Sequence, residues 1–464
     1  MSGFYILEKR YPTFVTSMNY NFLKKTNLLF YIFALIIISI AAIINGFPLW
    51  YPDTSTYLAS GFELETPADR PIGYGIFILL TSLNGASIWL VIVAQAIIIF
   101  YLLNLTFHYF FPNWTNPQTL IVLTLLSLFS SFSFVTSQLI SDIFSPIGAI
   151  SLFHLILNHN LKKSNRNWLI GFYILSVAMH MSHVGINIIL IFILSMFSKI
   201  LFNQFEFRKS IAFVVLTLIC LLSMGSALGK STHVFLMARL SENGILKKYL
   251  DENCNKKTYK ICAFKDDLPK SANAFLWEKY SPVYHTGGWV DSKPEYVEII
   301  KGTFSSWEYL VLHFKESVKT TKRQLQFFKV GDGNIAYREG TSLYKRFKKY
   351  FPREFNQYKN STIYQTEDEL MLDHFSKINS VHYFITLLAL LINFLFLVFH
   401  KNKKDIFYWF VIFLMATIFV SNFLNASLVV NAHRFGAKVS WLLLLSAILI
   451  VLSLRKKHPE IPRT

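Results

Sequence analysis

The residues of this chain that could do chemistry are ionisable groups placed against long apolar runs, because a charge at membrane depth is costly and marks a functional position by default. The first group lies in "NGFPLWYPDTSTYLASGFELETPADRPIGYGIFILL", residues 45 to 80, where Asp53, Asp69 and Arg70 stand among prolines, aromatics and glycines. A carboxylate there can take a proton from a hydroxyl, and a guanidinium can hold two phosphate oxygens at once. Further candidates are Asp142 in "TSQLISDIFSPIGA", His180 and His183 in "AMHMSHVG", and His433 and Arg434 in "NAHRFGAKVSWLLLL". Lys230 and Arg239 flank the end of another apolar run and can add to an anion site.

Each candidate has a plainer reading. Asp53 and Asp142 can each cap a helix, since an acid before an apolar run satisfies free N–H groups. His180 and His183 share a helix face at spacing i, i+3, but no carboxylate or cysteine stands near them in sequence, which favours packing over metal. Arg434 can simply anchor a helix end at the head groups, and Asp69 can simply hold Arg70 in place. Trp50 and Tyr57 offer apolar faces to a sugar ring, or serve as interfacial aromatics.

The elements that must position these groups are membrane helices. The 464 residues are 53% hydrophobic and 17% aromatic, with a mean hydropathy of +0.40, which predicts an integral membrane protein. With about 20 apolar residues needed per crossing, ten spans are expected, near 28–45, 86–110, 118–138, 142–158, 168–184, 187–203, 211–229, 381–399, 406–424 and 436–454. "RPIGYGIFILLTSL" is short and Gly-rich, and is expected at the interface or as a re-entrant piece. The polar leader lacks a small-residue cleavage site, so the first apolar run is expected to stay as a helix.

The net charge of +18 sits largely in short Lys/Arg clusters between apolar runs. With no nucleic-acid module beside them, these clusters speak for orientation rather than nucleic-acid binding. Lys9, Arg10, Lys24 and Lys25, the loops "NHNLKKSNRN", "NQFEFRKS" and "HKNKKD", and the tail "RKKHPEIPRT" then lie inside, with both termini cytoplasmic. Residues 1–229 form a transmembrane region with a first outward loop at 46–85. Residues 230–380 form an extracytoplasmic, α-rich or mixed domain, and 381–464 the last helices. On this topology the candidate groups from five chain segments meet at one membrane face. Cys254 and Cys262 lie in the outward region and are expected to pair as a local staple. "EYLVLHFKESVKTTKRQLQFF" reads as an amphipathic helix near the membrane surface.

The arrangement resembles the GT-C class of integral membrane glycosyltransferases, which includes the protein O-mannosyltransferases and the bacterial enzymes that add aminoarabinose to lipid A. The likeness rests on "PDTSTYL" in the first outward loop, on the Arg-Pro re-entry "ADRPIGYGIFILL", and more loosely on "SDIF" and "HRFGAKVSW". It implies an all-α polytopic fold and a polyprenyl-phosphate-linked sugar donor held among membrane lipids. The sugar moves by inverting displacement to an extracytoplasmic glycan, lipid or protein. Asp53 is then the base or the acceptor-orienting group, with Asp69 sharing that role. Arg70 and Arg434 face the leaving phosphate. A divalent cation is compatible with the class, although nothing in the sequence requires one. A bacterial inner membrane with a periplasmic site suits the composition. The competing class is a transporter or flippase for a lipid-linked or anionic solute, against which stands the lack of any internal repeat.

Overall fold

The computed structural model describes residues 25–223 and 231–455. Lys9, Arg10, Lys24, Lys230 and the tail after Arg455 lie outside the described residues. Every named element is a helix, and the extended backbone among the described residues forms only one isolated bridge, Leu49 to Gln138.

Five of these helices are long and apolar enough to cross a membrane: Trp89–Phe110, Met181–Phe202, Asp368–Phe399, Ile406–Leu428 and His433–Leu454. Four of the other five expected spans are helical too, but short or interrupted, and the fifth, 211–229, is described only as far as Ser223. The first is split at Ser39 into Lys25–Ile38 and Ile40–Asn45, and the third around Ser130 and Ser131 into Asn116–Phe129 and Phe132–Ser137. Phe144–Leu157 has 14 residues and Lys163–Met179 has 17. At 1.5 Å per residue such helices reach roughly 21–26 Å, short of a ~30 Å apolar layer. The interruptions fall at serines: Ser131 Oγ reaches across to Ala437 O at 2.5 Å, while Ser130 Oγ locally donates to Leu126 O at 2.6 Å and accepts from Phe132 N at 3.3 Å. Those local bonds offer the chain an alternative to continuing the helix.

Phe144–Leu157 is buried along its whole length, which is the environment its all-round apolar sequence demands. Its heaviest contact is with Lys163–Met179. Around it Phe153, Phe410 and Phe413 interlock, with ring centroids 4.8 and 5.5 Å apart from Phe153.

The region 231–380 is not one body. Residues from Val234 to Tyr309 build a separate apolar core around Met237, Leu250, Phe275 and Tyr296, into which Val430 and Phe435 reach from the bundle. The Cys254–Cys262 disulfide is present at its edge. By contrast Phe347, Phe351 and Tyr358 belong to the core of the helical bundle. They pack on Phe47 and Trp50, with centroids at 4.9 Å for Trp50–Phe347 and 5.7 Å for Phe47–Tyr358. The helix Asp368–Phe399 then runs through residue 380 without a break. Helix Trp307–Gln324 leaves Trp307, Val311, Phe314 and Val318 exposed and lies against Ile406–Leu428.

Candidate functional site

The first loop is fixed by backbone before its side chains matter. Leu49 pairs with the segment between Phe132–Ser137 and Ser141–Ile143, through Leu49 N to Ser137 O at 3.0 Å and Leu139 N to Leu49 O at 2.9 Å. Thr54 Oγ1 donates to Leu139 O at 2.8 Å. Asp53 therefore enters helix Thr54–Glu63 from a fixed point. It occupies the cap position but makes no side-chain cap hydrogen bond, so its carboxylate is available to other partners.

Those partners are two guanidiniums. Arg434 Nη1 donates to Asp53 Oδ2 at 2.6 Å, and Arg70 Nη1 lies 3.1 Å from the same oxygen. Arg70 also gives Nε and Nη2 to Asp69 Oδ2, at 3.0 and 2.5 Å. Below the cluster, the Arg70 guanidinium sits 5.2 Å from the Tyr57 ring centroid and that of Arg434 4.6 Å from Tyr51; both are cation–π distances. Burial works against ionising Asp53, but Arg434 and then Arg70 outweigh it and hold its pKa down at about 2. Burial leads the causes that push the Tyr51 and Tyr57 phenols up to about 12.

The helix that carries Arg70 into place is Gly73–Thr81. A Cβ on Gly75 would stand 2.3 Å from Ser60 Oγ and 2.8 Å from Tyr57 O, so only glycine lets this helix lie so close to Thr54–Glu63. Ser231 Oγ donates to Ala68 O at 2.5 Å and ties the same loop to the start of the second core.

Asp53, Asp69, Arg70, His180, His433 and Arg434 line one cavity of about 840 Å³. It lies at a single end of the bundle, where Met181–Phe202 and His433–Arg455 begin and Ile406–Leu428 finishes, and helices of the second core close it. Leu221, Phe235, Leu276, Leu424, Leu428 and Val430 make much of its wall apolar. His180 accepts from Ser182 N at 3.2 Å, which makes it the cap of Met181–Phe202. His433 stacks on Phe327 at 4.6 Å and accepts from Lys329 N at 3.3 Å.

The structure sets the other candidates apart from the cavity. Trp50 is buried against Phe347 and Tyr358, where aromatic packing explains it without a ligand. Tyr57 lies beneath Arg70, with its hydroxyl 3.1 Å from Ser141 Oγ. His183 Nδ1 donates to Ser176 O at 2.7 Å inside the bundle. Arg239 is 1% exposed and pairs with Glu242 at 3.1 Å in the second core. Asp142 is buried and caps nothing; neither of its oxygens has a hydrogen bond. Its nearest cation is Lys438 Nζ, 3.9 Å away and fully buried.

Three contributors were not singled out in the sequence. Tyr51 and Asp332 line the cavity, and Lys438 stands one helical turn after Arg434, facing Asp142. The signal for Lys438 was its i, i+4 spacing from Arg434 on an otherwise apolar helix; that for Asp332 was its place between two glycines. Among the described residues no three His, Cys, Asp or Glu side chains converge closely enough to hold a metal ion. Comparison with protein-family models, curated proteins and solved structures gives no match.

Proposed function

We propose that this chain is a membrane glycosyltransferase of the GT-C type, moving a sugar from a polyprenyl-phosphate donor to the hydroxyl of an extracytoplasmic glycolipid, polysaccharide or protein. The observation that carries the reading is the Asp53–Arg434–Arg70 cluster set in the wall of a cavity that is otherwise largely apolar. An amphiphile with an anionic junction between a lipid tail and a sugar matches that wall. Its tail lies along Leu221, Leu424 and Leu428, and its phosphate meets the guanidiniums.

The two arginines differ in what they have to offer. Arg70 donates Nε and Nη2 to Asp69 and holds Nη1 3.1 Å from Asp53 Oδ2 as an ion pair. Arg434 commits only Nη1 to a hydrogen bond among the described residues. Arg434 is thus the residue that offers free donors to the leaving phosphate, and Arg70 with Asp53 fixes its place. Fixed donors aimed at developing charge stabilise the transition state without reorganising. On this reading the transfer is an inverting displacement, as the GT-C resemblance implies: the acceptor oxygen attacks the anomeric carbon as the bond to phosphate breaks.

The Lys/Arg-rich loops and the disulfide favour a site on the outer face of a bacterial inner membrane, with cytoplasmic termini. The test is binding. Thermal stabilisation of the purified protein by a polyprenyl-phosphate sugar, by polyprenyl phosphate and by a nucleotide sugar should rank in that order. Arg434→Gln should weaken the first two about 10- to 100-fold, the range for a lost charged hydrogen bond. Transport of a lipid-linked solute into liposomes with no sugar transfer would favour the transporter class instead.

A further inference from the structure

Residues 329–334 bring Asp332 to the wall of the cavity and are held at three points. Asn379 clamps Val330, accepting its N–H at 2.8 Å and donating to its carbonyl at 2.9 Å. Gln138 donates to Asn334 Oδ1 at 2.9 Å, and Lys329 N donates to His433. Gly331 and Gly333 on either side of Asp332 have φ of +90° and +72°, backbone that favours glycine. A Cβ on Gly333 would stand 2.5 Å from the Tyr51 ring, and one on Gly331 2.4 Å from Phe375. Two glycines and three anchors therefore set Asp332 in one place. That place is the wall of the cavity shared with Asp53 and Arg434.

Asp332 differs from the other two carboxylates there. Asp53 and Asp69 are tied to guanidiniums, and a proton placed on Asp53 competes with two ion pairs. Among the described residues no hydrogen bond or ion pair holds Asp332, which is half-buried. A general base needs a lone pair that is free to face the substrate.

We propose that Asp332 is the carboxylate that takes the proton of the acceptor hydroxyl, while Asp53 holds the arginines in place. The inference rests on the glycosyltransferase reading and assigns a further catalytic residue within it. As the acceptor oxygen bonds to the anomeric carbon, its proton passes to Asp332. The bond from that carbon to the phosphate oxygen breaks, and its electron pair leaves with polyprenyl phosphate beside Arg434. Asp332 returns its proton to water after the product departs.

The test is steady-state kinetics of the full chain in detergent, on a panel of polyprenyl-phosphate sugars with a mixture of acceptor alcohols. Asp332→Asn should lower kcat at least ~100-fold, the lower end for loss of a positioned base, with KM for the donor within threefold and the melting temperature unchanged. The acid limb of the wild-type pH–rate profile should vanish in Asp332→Asn and persist, displaced, in Asp332→Glu. The second variant carries the test if the first folds poorly. An active wild type with Asp332→Asn within threefold of its kcat, or with the acid limb intact, overturns the role of Asp332 alone. A wild type that releases no polyprenyl phosphate from any donor overturns the transfer reading and this role together.

Discussion

Arg434 and Asp53, 381 positions apart in the chain, meet at 2.6 Å in the wall of the cavity. The contact joins the loop before Thr54–Glu63 to the last helix, and Arg70 completes it from the loop before Gly73–Thr81. Removing the shared carboxylate leaves two largely buried guanidiniums facing each other. Asp53→Asn is therefore expected to cost about 3–5 kcal/mol, the range for breaking a buried ion pair from one side. The double variant Asp53→Asn with Arg434→Gln should cost less than the sum of the two single changes, by about 1–3 kcal/mol. Denaturant melts of the four proteins in one detergent measure that coupling. Additive losses would mean that the contact does not hold the loop to the helix.

The same pair has a pH signature. The carboxyl of Asp53 is held below its unfolded value, at about 2. Its contribution to stability is therefore complete above the unfolded carboxylate range near pH 4. It is lost as pH falls through the folded value, between about 4 and 2. The full span is on the order of 2 kcal/mol. The stability gap between wild type and Asp53→Asn should be flat from pH 5 to 8 and should narrow below pH 4. A gap that widens in acid would contradict the pairing.

Gly75 offers a steric test independent of charge. A methyl group there meets Ser60 Oγ at 2.3 Å and the Gly61 and Tyr57 backbone at 2.7 and 2.8 Å. Gly75→Ala should separate Gly73–Thr81 from Thr54–Glu63 and shift Arg70. The expected cost is about 1–3 kcal/mol, as for overpacking of a filled core. The melt should show that loss, and donor affinity should fall with it. Gly75→Ala paired with Ser60→Gly should recover part of both, since the hydroxyl is the nearest obstacle.

The Cys254–Cys262 disulfide closes a loop of sequence separation 8. In the chain-entropy account a loop of that size contributes about 2.5 kcal/mol. Cys254→Ser should destabilise the second core by that order, read as faster proteolysis between residues 245 and 300, and leave the bundle helices resistant. Free thiols at both positions in protein taken from native membranes would contradict an outward, oxidising location.

Much of this architecture was legible in the sequence, and the exceptions have physical causes. Hydropathy locates the helices, because apolar length is what it measures. It does not see the breaks at Ser39 and at Ser130 and Ser131, or how soon Phe144–Leu157 and Lys163–Met179 end, so four expected crossings are short or interrupted. The candidate residues of five segments were expected at one end, and Asp53, Asp69, Arg70, His180, His433 and Arg434 do share one cavity there. Trp50 looked like a sugar platform because an aromatic beside a membrane has that use; Phe347 and Tyr358, some 300 residues later, cover it. Such long-range cover is invisible to local pattern. Asp332 was hidden for a related reason, since "VGDGN" reads as a turn until Tyr51, Gln138 and Asn379 are placed around it. Lys438 escaped attention because its acid, Asp142, comes from a distant part of the chain.

Sugar transfer from a polyprenyl phosphate in this cavity, as proposed, must release free polyprenyl phosphate. The most direct measurement is mass-spectrometric detection of free polyprenyl phosphate, after incubating the purified full-length protein with a panel of polyprenyl-phosphate sugars and extracted envelope lipids and glycans as acceptors. The account predicts release by the wild type from at least one donor, matched by a stoichiometric gain of one sugar on an acceptor, and at least a ~100-fold loss in Arg434→Gln, as for loss of an oxyanion-type donor. No release from any donor would contradict sugar transfer; equal release by Arg434→Gln would contradict the role of Arg434 alone.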